Sequence, residues 1–229
     1  MKNKILILIL IVVSIKSFAQ DSLQITPLKT RIFSLSPMLP KIEKVNGFVF
    51  GVGHYDGPRI KQQTINGVNL EASPLSLALI SFGINIPFEG IFAGLNDKFF
   101  KNTFLSDLNE RTKFKVNGLN VSSGGFMSNA SVSGVNISIL TGINQMNGVS
   151  INGSVIGTKK FNGVCISGIA NITHYGNGVQ IALSNVSRSH NGAQIGLFNN
   201  SKNLRGIQLG LWNKNGKRSL PFINWQFKS

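Results

Sequence analysis

Gly178-Val-Gln-Ile-Ala-Leu-Ser-Asn185 and Gly206-Ile-Gln-Leu-Gly-Leu-Trp-Asn213 are two statements of one phrase. In the first, Val179, Ile181 and Leu183 fall on alternate residues, with Gln180 and Ala182 between them; in the second, Ile207, Leu209 and Leu211 do the same. Apolar residues at period two are the pattern of a β-strand with one buried face, and Val and Ile suit a pleated, half-buried surface. The expectation is that Val179, Ile181 and Leu183 face the core, so that Ile181→Asp prevents folding. The Asn-Gly that opens most copies supplies a positive φ cheaply and reads as a turn between strands.

Outward from these copies, the phrase recurs at Gly118, Gly134, Gly148, Gly163, Gly178, Gly192 and Gly206, at intervals of 16, 14, 15, 15, 14 and 14 residues. Each unit is about one strand plus a polar turn. Three apolar side chains contribute at most roughly 1.5–3 kcal/mol each when buried, whereas ordering costs on the order of 1.5 kcal/mol per residue. One unit cannot stand alone; a stack can.

Two all-β architectures fit the period. In a parallel β-solenoid each repeat of about 14–15 residues is one coil, and equivalent residues stack about 4.8 Å apart. In an antiparallel meander closing into an outer-membrane barrel, strands need about 9–11 residues and short turns alternate with longer loops. The segments between strands are all similar in length and show no odd–even alternation, which favours the solenoid. The ending Phe222-Ile-Asn-Trp-Gln-Phe227 also suits the last strand of a barrel.

Residues 1–19 read as a signal peptide: Lys2 and Lys4, an apolar run from Ile5 to Ile15, then Ser17-Phe18-Ala19 with Gln20 next. No Cys stands near the cleavage point, so a lipid-modified N-terminus is not supported. The expected location is the outer membrane, the cell surface or the medium. Residues 20–116 hold degenerate repeats. Val45-Asn-Gly-Phe-Val-Phe-Gly-Val-Gly53 reads as one copy and Ile65-Asn-Gly-Val-Asn-Leu70 as another. Ser34 to Pro40 reads as a Pro-punctuated loop, Leu75 to Ile80 as part of a buried strand pair, and 88–115 as a Phe-rich insertion. Residues 117–229 form the regular array with a C-terminal cap.

All eight Asp and Glu lie at or before Glu110, and the twelve Lys and Arg from Arg111 onward meet no acid. Lys159, Lys160, Arg188, Lys202, Arg205, Lys214, Lys217 and Arg218 fall between the expected strands and form the candidate contact set for polyanions such as lipopolysaccharide and other acidic glycans. The same residues also serve solubility and guard sheet edges against stacking. No aromatic interleaving of the kind used by single-strand nucleic-acid grooves accompanies them, so no specific nucleic-acid binding is expected.

No chemistry is expected. His174 and His190 read as turn residues without a second ligand at metal spacing. His54-Tyr-Asp56 is a local cluster, but Asp56-Gly-Pro58 reads as a turn. There is no nucleophile elbow and no phosphate-binding Gly-Lys-Ser/Thr loop, and paired carboxylates are impossible in the acid-free half. Catalytic residues, metal and cofactor are therefore all expected to be none. Cys165, the lone cysteine, stands where Gln180 stands in its own unit and reads as an inert, partly buried thiol. Asn185, Asn199 and Asn213 are placed to form a ladder between coils.

Val116-Asn-Gly-Leu-Asn-Val, Met146-Asn-Gly-Val-Ser-Ile, Asn191-Gly-Ala-Gln-Ile-Gly-Leu-Phe-Asn and the ending Leu220-Pro-Phe-Ile-Asn-Trp-Gln-Phe resemble the bacterial surface repeat-containing proteins of Bacteroidetes and spirochaetes. The resemblance covers about Asn46 to Phe227. It implies a cell-surface or outer-membrane location and no established activity, and it brings no catalytic residues. Some spirochaete members are lipoproteins; the missing lipid-attachment Cys departs from them.

Overall fold

The structure is a computed structural model and describes residues 30–54, 60, 62–73, 112–124, 126–127 and 129–227. The readings of the signal peptide, of Leu75–Ile80, of 88–111 and of Asp56-Gly-Pro58 lie outside those residues.

The described chain is all-β. Its strands are β1 (Thr30–Ser36), β2 (Lys44–Gly51), β3 (Gln63–Glu71), β4 (Phe114–Ser122), β5 (Phe126–Met127), β6 (Ala130–Ser167), β7 (Ala170–Ile181), β8 (Ser184–Ile195), β9 (Phe198–Asn215) and β10 (Ser219–Gln226). They form one sheet in the order β1-β2-β3-β4-β6-β7-β8-β9-β10, with β5 beside β6. All pairings are parallel except β9–β10. The result is a parallel β-solenoid of about nine turns at roughly 15-residue spacing. Parallel neighbours, each one coil on, set the antiparallel barrel aside. The ending that suited a barrel's last strand folds back as β10 along β9, pairing Trp225 with Ile207 and Ile223 with Leu209.

The register follows the glycines. Gly47 pairs with Gly67, Gly67 with Gly118, Gly118 with Gly134, Gly163 with Gly178, Gly178 with Gly192 and Gly192 with Gly206. The copies at Gly47 and Gly67 thus join the same stack. The Asn-Gly is not a turn between strands: Asn177 and Gly178 lie inside β7. Gly178 has φ +124°, and a Cβ added there would stand 2.0 Å from the carbonyl oxygen of Gly163. Only glycine fits where consecutive coils bring their backbones together. Two other boundaries move. Ser34 to Ser36 belong to β1, so the loop begins at Pro37, and Phe114 and Lys115 belong to β4 rather than to the insertion.

The facing of the strands is the main correction. Gln180 is fully buried and Ala182 nearly so, whereas Ile181 is 36% and Leu183 45% exposed. The alternation was real, but the polar side points inward. Each coil has two arms. In the coil that starts at Ala170, residues 171–174 face residues 177–181 across the interior, and Gln180 Nε2 donates to Thr173 Oγ1 at 3.3 Å. Three hydrogen-bonded rows fill this space. Gln194 donates to Gln180 and Gln208 to Gln194, each at 2.8 Å. Asn185, Asn199 and Asn213 form a second row, as expected, and Asn171 extends it, all at 2.7–2.8 Å. Thr173 and Ser187 meet at 2.8 Å in the third. The amides of the Gln and Asn rows are tolerated in the interior because each finds its partner one coil away.

The apolar core is built on a different row, two residues before the glycines, with Val45, Ile65, Val116, Val132, Met146 and Phe161 all nearly or fully buried, and Val49, Phe114, Ile143, Ile156 and Cys165 pack with it. The row gives way to Gly176 and His190 and resumes at Leu204.

Candidate binding face

The repeat places its cations by register. Thr158 pairs with Thr173 and Lys160 with Tyr175; Thr173 pairs with Ser187 and Tyr175 with Ser189; Ser187 pairs with Ser201 and Ser189 with Asn203. Lys159, His174, Arg188 and Lys202 therefore hold one equivalent position in four successive coils. Neighbouring coils in such a stack are about 4.8 Å apart. Lys160 sits beside this row, and Lys214 follows Val186 and Asn200 on the same arm. Five of the eight sequence-predicted residues, Lys159, Lys160, Arg188, Lys202 and Lys214, thus share the outer side of one arm. Arg188, Lys202, Lys160 and Lys214 are exposed and Lys159 is half-buried.

They do not lie between strands, as expected. Lys159 and Lys160 are in β6, Arg188 in β8, and Lys202, Arg205 and Lys214 in β9. The coils are strand almost throughout, so the cations mark an outer arm and its corner. The remaining three separate. Arg205 pairs with Asn191 in the row before the glycines, where Asn66 donates to Asn46 at 2.7 Å and Asn177 to Asn162 at 2.9 Å. Beside Arg205 is a shallow depression walled by Gly178, Val179, Ala193, Ile207 and Phe227. Lys217 and Arg218 stand in the turn before β10. Arg218 is a fastener: Nε donates to Asn224 Oδ1 at 3.0 Å, Nη2 to the Trp225 carbonyl at 2.8 Å, and its guanidinium lies 4.7 Å from the Trp225 ring centroid.

Three reactive groups are buried. Cys165 is fully buried, and desolvation pushes its thiol well above the usual range. His190 is not in a turn; it lies inside β8, fully within the coil. It takes the room left by Gly176, where a Cβ would come within 2.5 Å of His190 Nδ1. Burial pushes its pKa down, favouring the neutral ring, against smaller opposing effects from the backbone at Ala193 and Gly178. His54 Nδ1 pairs with Glu71 Oε1, and both side chains are only 2% exposed. Glu71 Oε1 also accepts from Asn69 at 3.0 Å, and the His54 ring meets Phe114 edge-on at 4.7 Å. Sequence reading missed this pair because it looked to Asp56, two residues away. The partner lies one coil on: the register sets Glu71 beside Gly51, three residues before His54, so counting from Gly47 and Gly67 does not by itself join the pair.

Among the described residues no three His, Cys, Asp or Glu side chains converge as a metal site. No helix of the described residues is long and apolar enough to cross a membrane. No family model, curated protein or solved structure matches the chain.

Proposed function

We propose that this is an exported, non-enzymatic β-repeat scaffold of the cell surface or outer membrane, whose basic arm contacts polyanions such as lipopolysaccharide or other acidic glycans. The observation that carries the reading is the row of Lys159, Arg188 and Lys202 in register, joined by Lys160 and Lys214, on a half-chain without acids. Cations repeated at coil spacing match a polymer that repeats its negative charge, and their field adds over several coils. The interior supports a scaffold: its polar groups are used to hold one coil to the next. The N-terminal segment supports export.

Two experiments test this. Fractionation of the native cell, with surface proteolysis and detergent extraction, should place the chain at the surface or in the outer membrane. Binding to immobilised lipopolysaccharide should weaken steeply with salt and fall at least tenfold in Arg188→Glu with Lys202→Glu. A cytosolic chain, or binding indifferent to both salt and substitution, defeats the proposal.

A further inference from the structure

The inverted facing leaves an unusual surface. The residues one, three and five places after each glycine point away from the interior. Ile166, Ile181, Ile195, Leu209 and Ile223 follow one another in register, each 36–47% exposed. Leu183, Leu197 and Leu211 flank that row at 41–56%. The same three positions in the coils from Gly47 to Gly206 carry no charged residue.

Nine turns at about 4.8 Å, with five residues at about 3.3 Å, make a face of roughly 43 by 17 Å, or about 700 Å². The largest apolar patch on a typical monomer is about 300–600 Å². A face-to-face pair would bury about 1,400 Å² in total, within the roughly 1,200–2,000 Å² of a stable complex.

We infer that this face is the interface of a homodimer, in which two solenoids stack sheet on sheet through their Val, Ile and Leu rows. The charge layout selects a second copy over a lipid surface. Lys159, Lys160, Arg188, Lys202 and Lys214 lie on the opposite arm, so stacking leaves both basic arms in water and apart. A protein lying on a bilayer carries its cations at the rim of its apolar face. Here the neighbouring row is Asn46, Asn66, Asn117, Ser133, Asn147, Asn162, Asn177 and Asn191, and Arg205 at its end is its one cation. A face used twice about a two-fold axis needs only to complement itself, and rows of like-sized aliphatic side chains meet that need.

The test is sedimentation of the exported chain, purified without detergent, from about 1 to 50 µM. The expected species is a dimer. Ile181→Asp with Ile195→Asp should weaken it at least 100-fold while keeping the far-ultraviolet β spectrum, and Arg188→Asp on the other arm should leave it intact. Should the charged pair fail to fold, Ile181→Thr with Ile195→Thr should still weaken the dimer at least tenfold. A wild-type monomer at 50 µM overturns the inference. So does a dimer indifferent to the substitutions of the face. A monomer that co-floats with phosphatidylethanolamine–phosphatidylglycerol vesicles also overturns it and assigns the face to lipid.

Discussion

Gln194→Leu should damage this protein more than its conservative shape suggests. Gln194 is fully buried. Its Nε2 donates to Gln180 Oε1 at 2.8 Å and to Ser187 Oγ at 3.2 Å, and its Oε1 accepts from Gln208 Nε2 at 2.8 Å. Leucine nearly preserves the volume and removes all three bonds. A net hydrogen bond contributes about 0.5–1.5 kcal/mol. The neighbours are not fully stranded: Gln180 Oε1 keeps the donation from Ser187 at 3.0 Å, and Gln208 Nε2 keeps the Lys214 carbonyl at 3.0 Å. The loss should therefore fall near 2–3 kcal/mol rather than at the upper limit of three bonds. With a urea slope of about 2 kcal/mol/M, the midpoint drops by about 1–1.5 M. Ile181→Asp is the control. Its side chain reaches water, so the carboxylate is not buried. In dilute solution it should cost about 1–2 kcal/mol of stacking contact and leave the chain folded. A Gln194→Leu protein as stable as the wild type would refute the polar interior, as would an Ile181→Asp chain that cannot fold while Gln194→Leu can.

Gly178→Ala drives a methyl against the Gly163 carbonyl at a positive φ; it should cost about 3 kcal/mol or more, seen as a fall in thermal midpoint. His190 titrates low in the fold, so the unfolded chain takes up its proton first as pH falls; stability should be full above about pH 6.5 and decline below it. His190→Leu should flatten that decline below about pH 6.5 in paired urea titrations. Cys165 should resist a disulfide reagent at pH 8 until denaturant is added, because burial disfavours its thiolate. Arg218→Ala should speed amide exchange in Ser219–Gln226 with little change elsewhere.

The period was legible in the sequence because it is a count: glycines 14–16 residues apart, equal linkers and unchanging residue types point to one coil per repeat. The Asn185–Asn199–Asn213 row was legible for the same reason. The facing was not, because alternation says that the two sides of a strand differ and leaves open which side is inside. Hydrophobicity alone chose Val179, Ile181 and Leu183. The better guide stood two residues before the glycines, where Val45, Ile65, Val116, Met146 and Phe161 are apolar. That position shares a side of the strand with Gln180, not with Ile181. Cys165, standing in the row of Gln180, pointed the same way. The cations were found by composition, but their gathering on one arm depends on where the coil turns, which equal spacing does not reveal.

A polar interior also imposes a condition on its end. From Gln180 to Gln208 every member of the Gln row has a Gln one coil away, so this row strands no amide until the coils stop. At the last full coil, Gln208 would lose a partner on one side. β10 supplies it: Asn224, fully buried, donates to Gln208 Oε1 at 3.1 Å and is itself held by Arg218. Asn215 Nδ2 donates to Asn224 Oδ1 at 3.3 Å. A parallel coil would have offered a fresh unpaired amide and passed the problem on. An antiparallel strand closes the row because its register brings one short amide, rather than another Gln, opposite the final rung. The alternating Phe222-Ile-Asn-Trp-Gln-Phe227 ending, which read as the closing strand of a barrel, is thus explained by Asn224: its apolar residues continue the outer face while the amide between them finishes the inner ladder.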